Sequence, residues 1–152
     1  MNGRSCGVML AAGMALACAG GDVTGAGDGL DVSVELSASQ LVVGDELEVT
    51  VRAENVSSRT VTPDLGPCIL TFEVLSGGGT VVAPEQTVCP LILVTADLEP
   101  GAAYEFTFTW RGDRDGSASS FLPPGTYHVR GVLDLRSGAA ASPAVPLQVL
   151  SR

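Results

Sequence analysis

From Leu30 onward the apolar positions of this chain recur every second residue. Glu46-Leu47-Glu48-Val49-Thr50-Val51-Arg52-Ala53 alternates polar and apolar without a break, the pattern of a strand with one buried face. Tyr104-Glu105-Phe106-Thr107-Phe108-Thr109-Trp110 repeats it with aromatic rings on one side. A third run, Tyr127 to Leu135, places Tyr127, Val129, Leu133 and Leu135 inward. Weaker alternation predicts strands at Asp31–Leu36, Cys68–Leu75, Val88–Thr95 and Ala144–Leu150. Turn formers punctuate these runs: Val43-Gly44-Asp45, Asn55-Val56-Ser57-Ser58, Gly77-Gly78-Gly79, Glu99-Pro100-Gly101 and Pro123-Pro124-Gly125. No comparable stretch carries a helical stripe. The expected fold is all-β: a single immunoglobulin-like antiparallel β-sandwich of about seven to eight strands over residues 30–152. A closed barrel is the alternative.

The first residues follow a different rule. Arg4 precedes an uncharged apolar stretch, Val8 to Ala17, that ends in Ala15-Leu16-Ala17 before Cys18. The stretch is too short to span a bilayer as a helix, which takes about 20 residues. Residues 1–17 therefore read as a signal peptide. Small residues followed by Cys resemble the lipobox of bacterial lipoproteins, although Ala15 stands where Leu is commoner. That resemblance implies lipidation at Cys18 and a membrane-anchored protein of the cell envelope; ordinary secretion is the other outcome. Ala19 after Cys18 implies the outer membrane where the host has two membranes. Residues 18–29 are rich in Gly and Asp and almost free of bulky side chains, and so read as a tether.

Composition narrows the function classes. With 45% hydrophobic and 16% charged residues among 152, the chain suffices for one cored domain. Its basic residues are all arginine, eight against 17 acids, for a net charge of −9. Such a chain repels nucleic acid and anionic lipid, and no arginine cluster offsets the repulsion.

With Cys6 in the leader and Cys18 the proposed anchor, Cys68 and Cys89 remain, and two cysteines in an exported domain form a disulfide. Their midpoint falls between Gly78 and Gly79, so a hairpin turning there sets them opposite one another. Such opposed residues lie about 4.5–5.5 Å apart, within disulfide reach. Pro84 cannot donate to a ladder, so the hairpin needs a bulge or break near it. Cys68, Cys89 and His128 are too few and too scattered for a metal site.

The residues for catalysis are missing as well. The single histidine, His128, lies on the polar face of its strand, and no Gly-x-Ser-x-Gly elbow is present. Glu46 and Glu48, and likewise Asp113 and Asp115, read as solvated pairs; general acid work needs one partner buried. Asp113-Arg114-Asp115-Gly116 has Gly at the fourth position of a would-be calcium loop instead of the sixth. Arg111-Gly112-Asp113 is a chance-level match, and bacterial export is expected to leave the sequon Asn55-Val56-Ser57 unmodified. The expectation is a non-catalytic protein without cofactor.

Several features in order carry a family likeness. They are Asn55 with Ser57-Ser58, Thr60-Val61-Thr62 as a short strand, and a hairpin containing Phe72-Glu73-Val74. Leu98-Glu99-Pro100-Gly101, the strand ending at Trp110, and Leu122-Pro123-Pro124-Gly125-Thr126-Tyr127 follow. Together, over Glu46 to Leu135, they resemble the BsuPI-type intracellular proteinase inhibitor domain, a β-sandwich family common in bacterial lipoproteins. The chain departs from that family by having Val81-Val82-Ala83-Pro84 where a Trp is usual. The resemblance implies a surface-tethered binding module, with an envelope or extracellular protein, a protease among the candidates, as partner. A structural or adaptor lipoprotein is the alternative, and a carbohydrate-binding module is weakened because Tyr104, Trp110 and Tyr127 are all in the inward phase. The candidate binding loop runs from Arg111 to Pro124, with Trp110, Arg111, Asp113, Arg114, Asp115, Phe121 and Leu122 as its candidate contacts. Phe121 and Leu122 either form an exposed anchor or cap the core.

Overall fold

A computed structural model describes residues 29–84, 89, 97–116 and 119–152. The signal peptide, Cys18, nearly all of the tether and most of the strand expected at Val88–Thr95 lie outside the described residues. Nine strands are described: β1 (Leu30–Leu36), β2 (Gln40–Val42), β3 (Leu47–Asn55), β4 (Leu65–Leu75), β5 (Val81–Ala83), β6 (Ala103–Trp110), β7 (Gly125–Leu135), β8 (Gly138–Ala141) and β9 (Val145–Leu150). One sheet has the order β1-β3-β6; the other has β2-β9-β7-β4-β5, with β8 paired to β7. The fold is an immunoglobulin-like β-sandwich.

Two-residue periodicity builds the core. On β3, Leu47, Val49, Val51, Ala53 and Asn55 all face inward and are buried, while Glu48 is exposed. From the opposite sheet Leu70, Phe72 and Val74 of β4, Val129 and Leu133 of β7, and Leu147 and Val149 of β9 close onto them. Gly131 of β7 marks the closest approach of the two sheets. A Cβ built there would lie 2.7 Å from Val51 Cγ1 and 3.1 Å from the carbonyl oxygen of Ser33, so only a hydrogen fits. Tyr127, two residues into β7, donates its hydroxyl to the carbonyl of Pro123 at 2.9 Å. This resembles the tyrosine corner of immunoglobulin-like sandwiches.

Two details depart from the sequence reading. Thr60-Val61-Thr62 contributes a single bridge, Val61 to Leu98, and no strand. The sandwich is not wholly antiparallel: β2 pairs with β9 in parallel, Leu41 opposite Val149. The hairpin has the expected register at Val74↔Ala83. The irregularity expected near Pro84 falls between Val74 and Leu75, where Val82 is the extra residue on β5.

The registers also define two poles. Leu30 lies opposite Asn55, and Glu54 opposite Ala103, so the start of β1 is at the Asn55 end of its sheet. Leu36 pairs with Val49 and Leu47 with Trp110, so β6 leaves the sheet at the other end. Spanning the nine residues of β3, at about 3.4 Å per residue, separates the poles by about 27 Å.

Candidate functional site

At the pole where β6 ends, the chain runs from Arg111 to Pro124 before entering β7. Ser117 and Ala118 within this loop lie outside the described residues. The loop is built as a pinched hairpin: Asp113 bridges Phe121, Leu122 N–H donates to Gly112 C=O at 2.8 Å, and Arg114 N–H donates to Ser120 C=O at 2.6 Å. Gly112 is buried against Leu41 with a φ of +82°, a conformation that favours glycine. Its neighbour Arg111 is exposed, forms an ion pair with Glu46, and accepts the N–H of Gly44 on its carbonyl at 3.1 Å. Gly44 and Glu46, in the turn that leads into β3, thereby share one surface with Arg111.

The structure divides the candidate contacts into two groups. Trp110 is only 4% exposed and donates its indole N–H to the Asp113 carbonyl at 2.8 Å. Leu122 is 3% exposed and belongs to the core. Both support the loop from below, and of the two readings of Leu122 its burial bears out the one in which it caps the core. Phe121 is half-buried. Arg111 and Asp115 are exposed, Asp113 and Arg114 half-buried, and these form the outer surface. Glu46 above all, with Asp113 beside it, holds the Arg111 guanidinium above its ordinary pKa.

Beneath the loop the inward rings of β6 meet Phe72 of β4. Phe72 and Phe108 centroids are 5.2 Å apart, Phe72 and Trp110 5.9 Å, and Phe106 and Phe108 4.8 Å, all tilted or edge-to-face. A groove of about 450 Å³ runs alongside, lined by these rings with Thr107, Thr109, Pro84, Asp113 and Asp115. Among the described residues no strand pairs with the outer edge of β6. Tyr104 is buried and Tyr127 half-buried, so neither ring lies flat on an open surface. His128 is half-buried opposite Leu75 and Pro146. Among the described residues no three His, Cys, Asp or Glu side chains gather as metal ligands, and no helix is long and apolar enough to cross a membrane.

Cys68 and Cys89 are joined as a disulfide, with their Cα atoms 4.8 Å apart. Sequence reasoning missed two polar devices. One is Asn55, fully buried, whose amide donates to the carbonyls of Arg59 (2.7 Å) and Leu98 (2.8 Å) and accepts from the N–H (2.9 Å) and hydroxyl (2.6 Å) of Ser57. Its signal was Asn at the end of an alternating strand with Ser two residues on, an Asx-turn pattern. The other is the Asp134 carboxylate against Gly66 and Cys68. The Gly66-Pro67 pair inside an apolar strand was the available sign of a bulge there.

No family model matches the chain, and no characterised protein matches it in sequence. Among solved structures it is similar to the β-glucosidase EmGH1 of Erythrobacter marinus, at 13% identity and a TM-score of 0.47, covering 81% of this chain and 16% of that one. It is also similar to the CARDB domain of the PF1109 protein of Pyrococcus furiosus, at 17% identity and a TM-score of 0.44, covering 80% and 87%. The C-terminal domain of wzt matches at 9% identity with a TM-score of 0.47, covering 82% and 75%. The chain thus spans about one sixth of the β-glucosidase's length.

Proposed function

We propose that this protein is a non-catalytic binding module, tethered to the cell envelope through Cys18, that offers its Arg111–Pro124 end to an envelope or extracellular protein. The observation that carries this reading is the opposition of the poles. The tether enters β1 at Leu30, beside Asn55, while the candidate loop leaves β6 at Trp110, at the far end of the sheet. A domain held at one pole presents the other outward. The loop there is pinned by backbone bonds and by the indole of Trp110, so little conformational freedom is lost when a partner docks. Inhibition of a protease is the version that the BsuPI-type resemblance suggests.

The test uses the anchored protein as bait in its native envelope. Arg111→Ala with Asp115→Ala should abolish capture of the partner while leaving the thermal midpoint unchanged. Undiminished capture by this stable variant would overturn loop-based binding. It would favour an adaptor role through the outer edge of β6, which has no strand partner among the described residues. A broad protease panel decides the inhibitor version, which falls if no enzyme is slowed. Labelling with radioactive fatty acid, wild type against Cys18→Ala, decides the anchor.

A further inference from the structure

The ladder between β4 and β7 breaks at one place. Leu65 pairs with Leu135 and Leu70 with Leu133, so Gly66, Pro67, Cys68 and Ile69 all face the single residue Asp134. Such a bulge leaves backbone N–H groups without ladder partners. Asp134 supplies one: its Oδ2 accepts the N–H of Cys68 at 3.1 Å. The same carboxylate presses on Gly66, where an added Cβ would lie 2.3 Å from Asp134 Cγ. Nothing larger than glycine leaves room for the acid. On the far side Arg136 fixes the bulge's base, donating its N–H to Asp64 C=O at 2.9 Å and its Nε–H to Leu65 C=O at 3.2 Å. Cys68 sits on this seat, half-buried, with exposed Cys89 beside it.

We propose that Asp134 is the positioning residue for the Cys68–Cys89 bond: by holding the backbone of Cys68 it fixes the bulge in the shape that aims Cys68 at Cys89. The consequence appears in oxidation by glutathione disulfide. The Cys89 thiolate, exposed, attacks one sulfur of glutathione disulfide, forming a mixed disulfide and releasing one glutathione thiolate. The Cys68 thiolate then attacks the Cys89 sulfur and releases the second. Two protein thiols are oxidised, one glutathione disulfide is reduced to two thiols, and the protons pass to water. The second step needs Cys68 aimed at Cys89, and that is where Asp134 acts. The inference does not depend on what the module binds.

The experiment equilibrates the purified full-length chain with glutathione buffers of graded ratio, traps thiols, and reads Cys68 and Cys89 by peptide mass spectrometry. Asp134→Ala removes the acceptor that holds the Cys68 N–H and should lower the effective concentration of the thiol pair about tenfold. Asp134→Asn keeps an acceptor of the same shape and should recover most of it, and being nearly isosteric it answers the question if the alanine variant fails to fold. Arg136→Ala, which disturbs the base of the bulge without touching Cys68, should leave the value near wild type. An unchanged Asp134→Ala overturns the proposal, as does an equal fall in Arg136→Ala, which would mark general loosening of the strand. With the alanine variant unfolded, a tenfold fall in Asp134→Asn also overturns it, because shape without charge would then have failed to position Cys68.

Discussion

At the scale of single residues, the polar groups that matter are those that water cannot reach. Asn55 is 0% exposed, yet both ends of its amide are satisfied, two donors to carbonyls and one acceptor shared by Ser57's N–H and hydroxyl. It ties the end of β3 to the turn at Arg59 and to Leu98. Asn55→Ala would take one donor from each of the carbonyls of Arg59 and Leu98, which keep the Ser57 hydroxyl and the Val61 N–H, and would leave the Ser57 N–H without its acceptor; it is expected to cost about 2 kcal/mol, read from urea unfolding. Asn55→Asp keeps the acceptor but turns a negative oxygen toward those carbonyls, so it should be no better; near-wild-type stability of either variant would show that the turn closes without this amide. Tyr104 supplies a pH-dependent case. Burial, with Asp97 adding to it, pushes its phenol above the ordinary value of 10.0. From about pH 10 upward the unfolded chain has released this proton and the native one retains it, so stability falls as pH rises through that window. Below pH 10 both states hold the proton and the contribution is constant. Tyr104→Phe should therefore flatten the decline of the urea midpoint between pH 9 and pH 11; equal slopes in the two proteins would refute the assignment.

At the scale of elements, what the alternation of polar and apolar residues made legible is what the hydrophobic effect controls directly. β3, β6 and β7 were readable within two residues at either end because the apolar residues of one face point into the core, fully on β3 and in large part on β6 and β7. β2, β5 and β8 were not. Gln40–Val42 and Val81–Ala83 are too short to show a period, and Gly138–Ala141 has almost no side chain to pattern. Their positions come from tertiary pairing, β8 through Val132↔Ala141 to Leu135↔Gly138 and β2 through the parallel contact with β9. The disulfide was legible for a different reason: a hairpin's midpoint is arithmetic, Val74↔Ala83 has the expected register, and Cys68 is joined to Cys89. Packing between the sheets left one mark in the sequence, Gly131 within an otherwise apolar strand. Its hydrogen faces Val51 and the carbonyl of Ser33 at distances no methyl group tolerates. Gly131→Ala should wedge the sheets and cost about 1–3 kcal/mol by overpacking. Adding Val51→Ala should recover part of that loss, measured as a positive coupling in a double-mutant cycle; strict additivity would place the strain elsewhere.

At the scale of the whole molecule, the candidate loop could be found in the sequence, but its outward and inward residues could not be told apart. Trp110 and Leu122 flank a polar loop and read as contacts; their burial depends on Gly112 turning back under them and on the long-range contact with Leu41. The opposition of poles was likewise invisible until the registers were known. It leads to a prediction about orientation. With a net charge of −9 over the whole chain, the protein is repelled by an anionic bilayer, and the entry strand of its domain begins at the pole of Ser58 while Asp115 lies at the other. In the lipid-anchored protein on vesicles containing anionic lipid, a fluorophore placed through Ser58→Cys should be quenched by spin-labelled headgroups more strongly than one placed through Asp115→Cys. Raising the salt concentration screens the repulsion and should narrow the difference without reversing it. Stronger quenching at Asp115 would turn the loop toward the membrane, and a partner in the medium could then no longer be the reason for its rigidity.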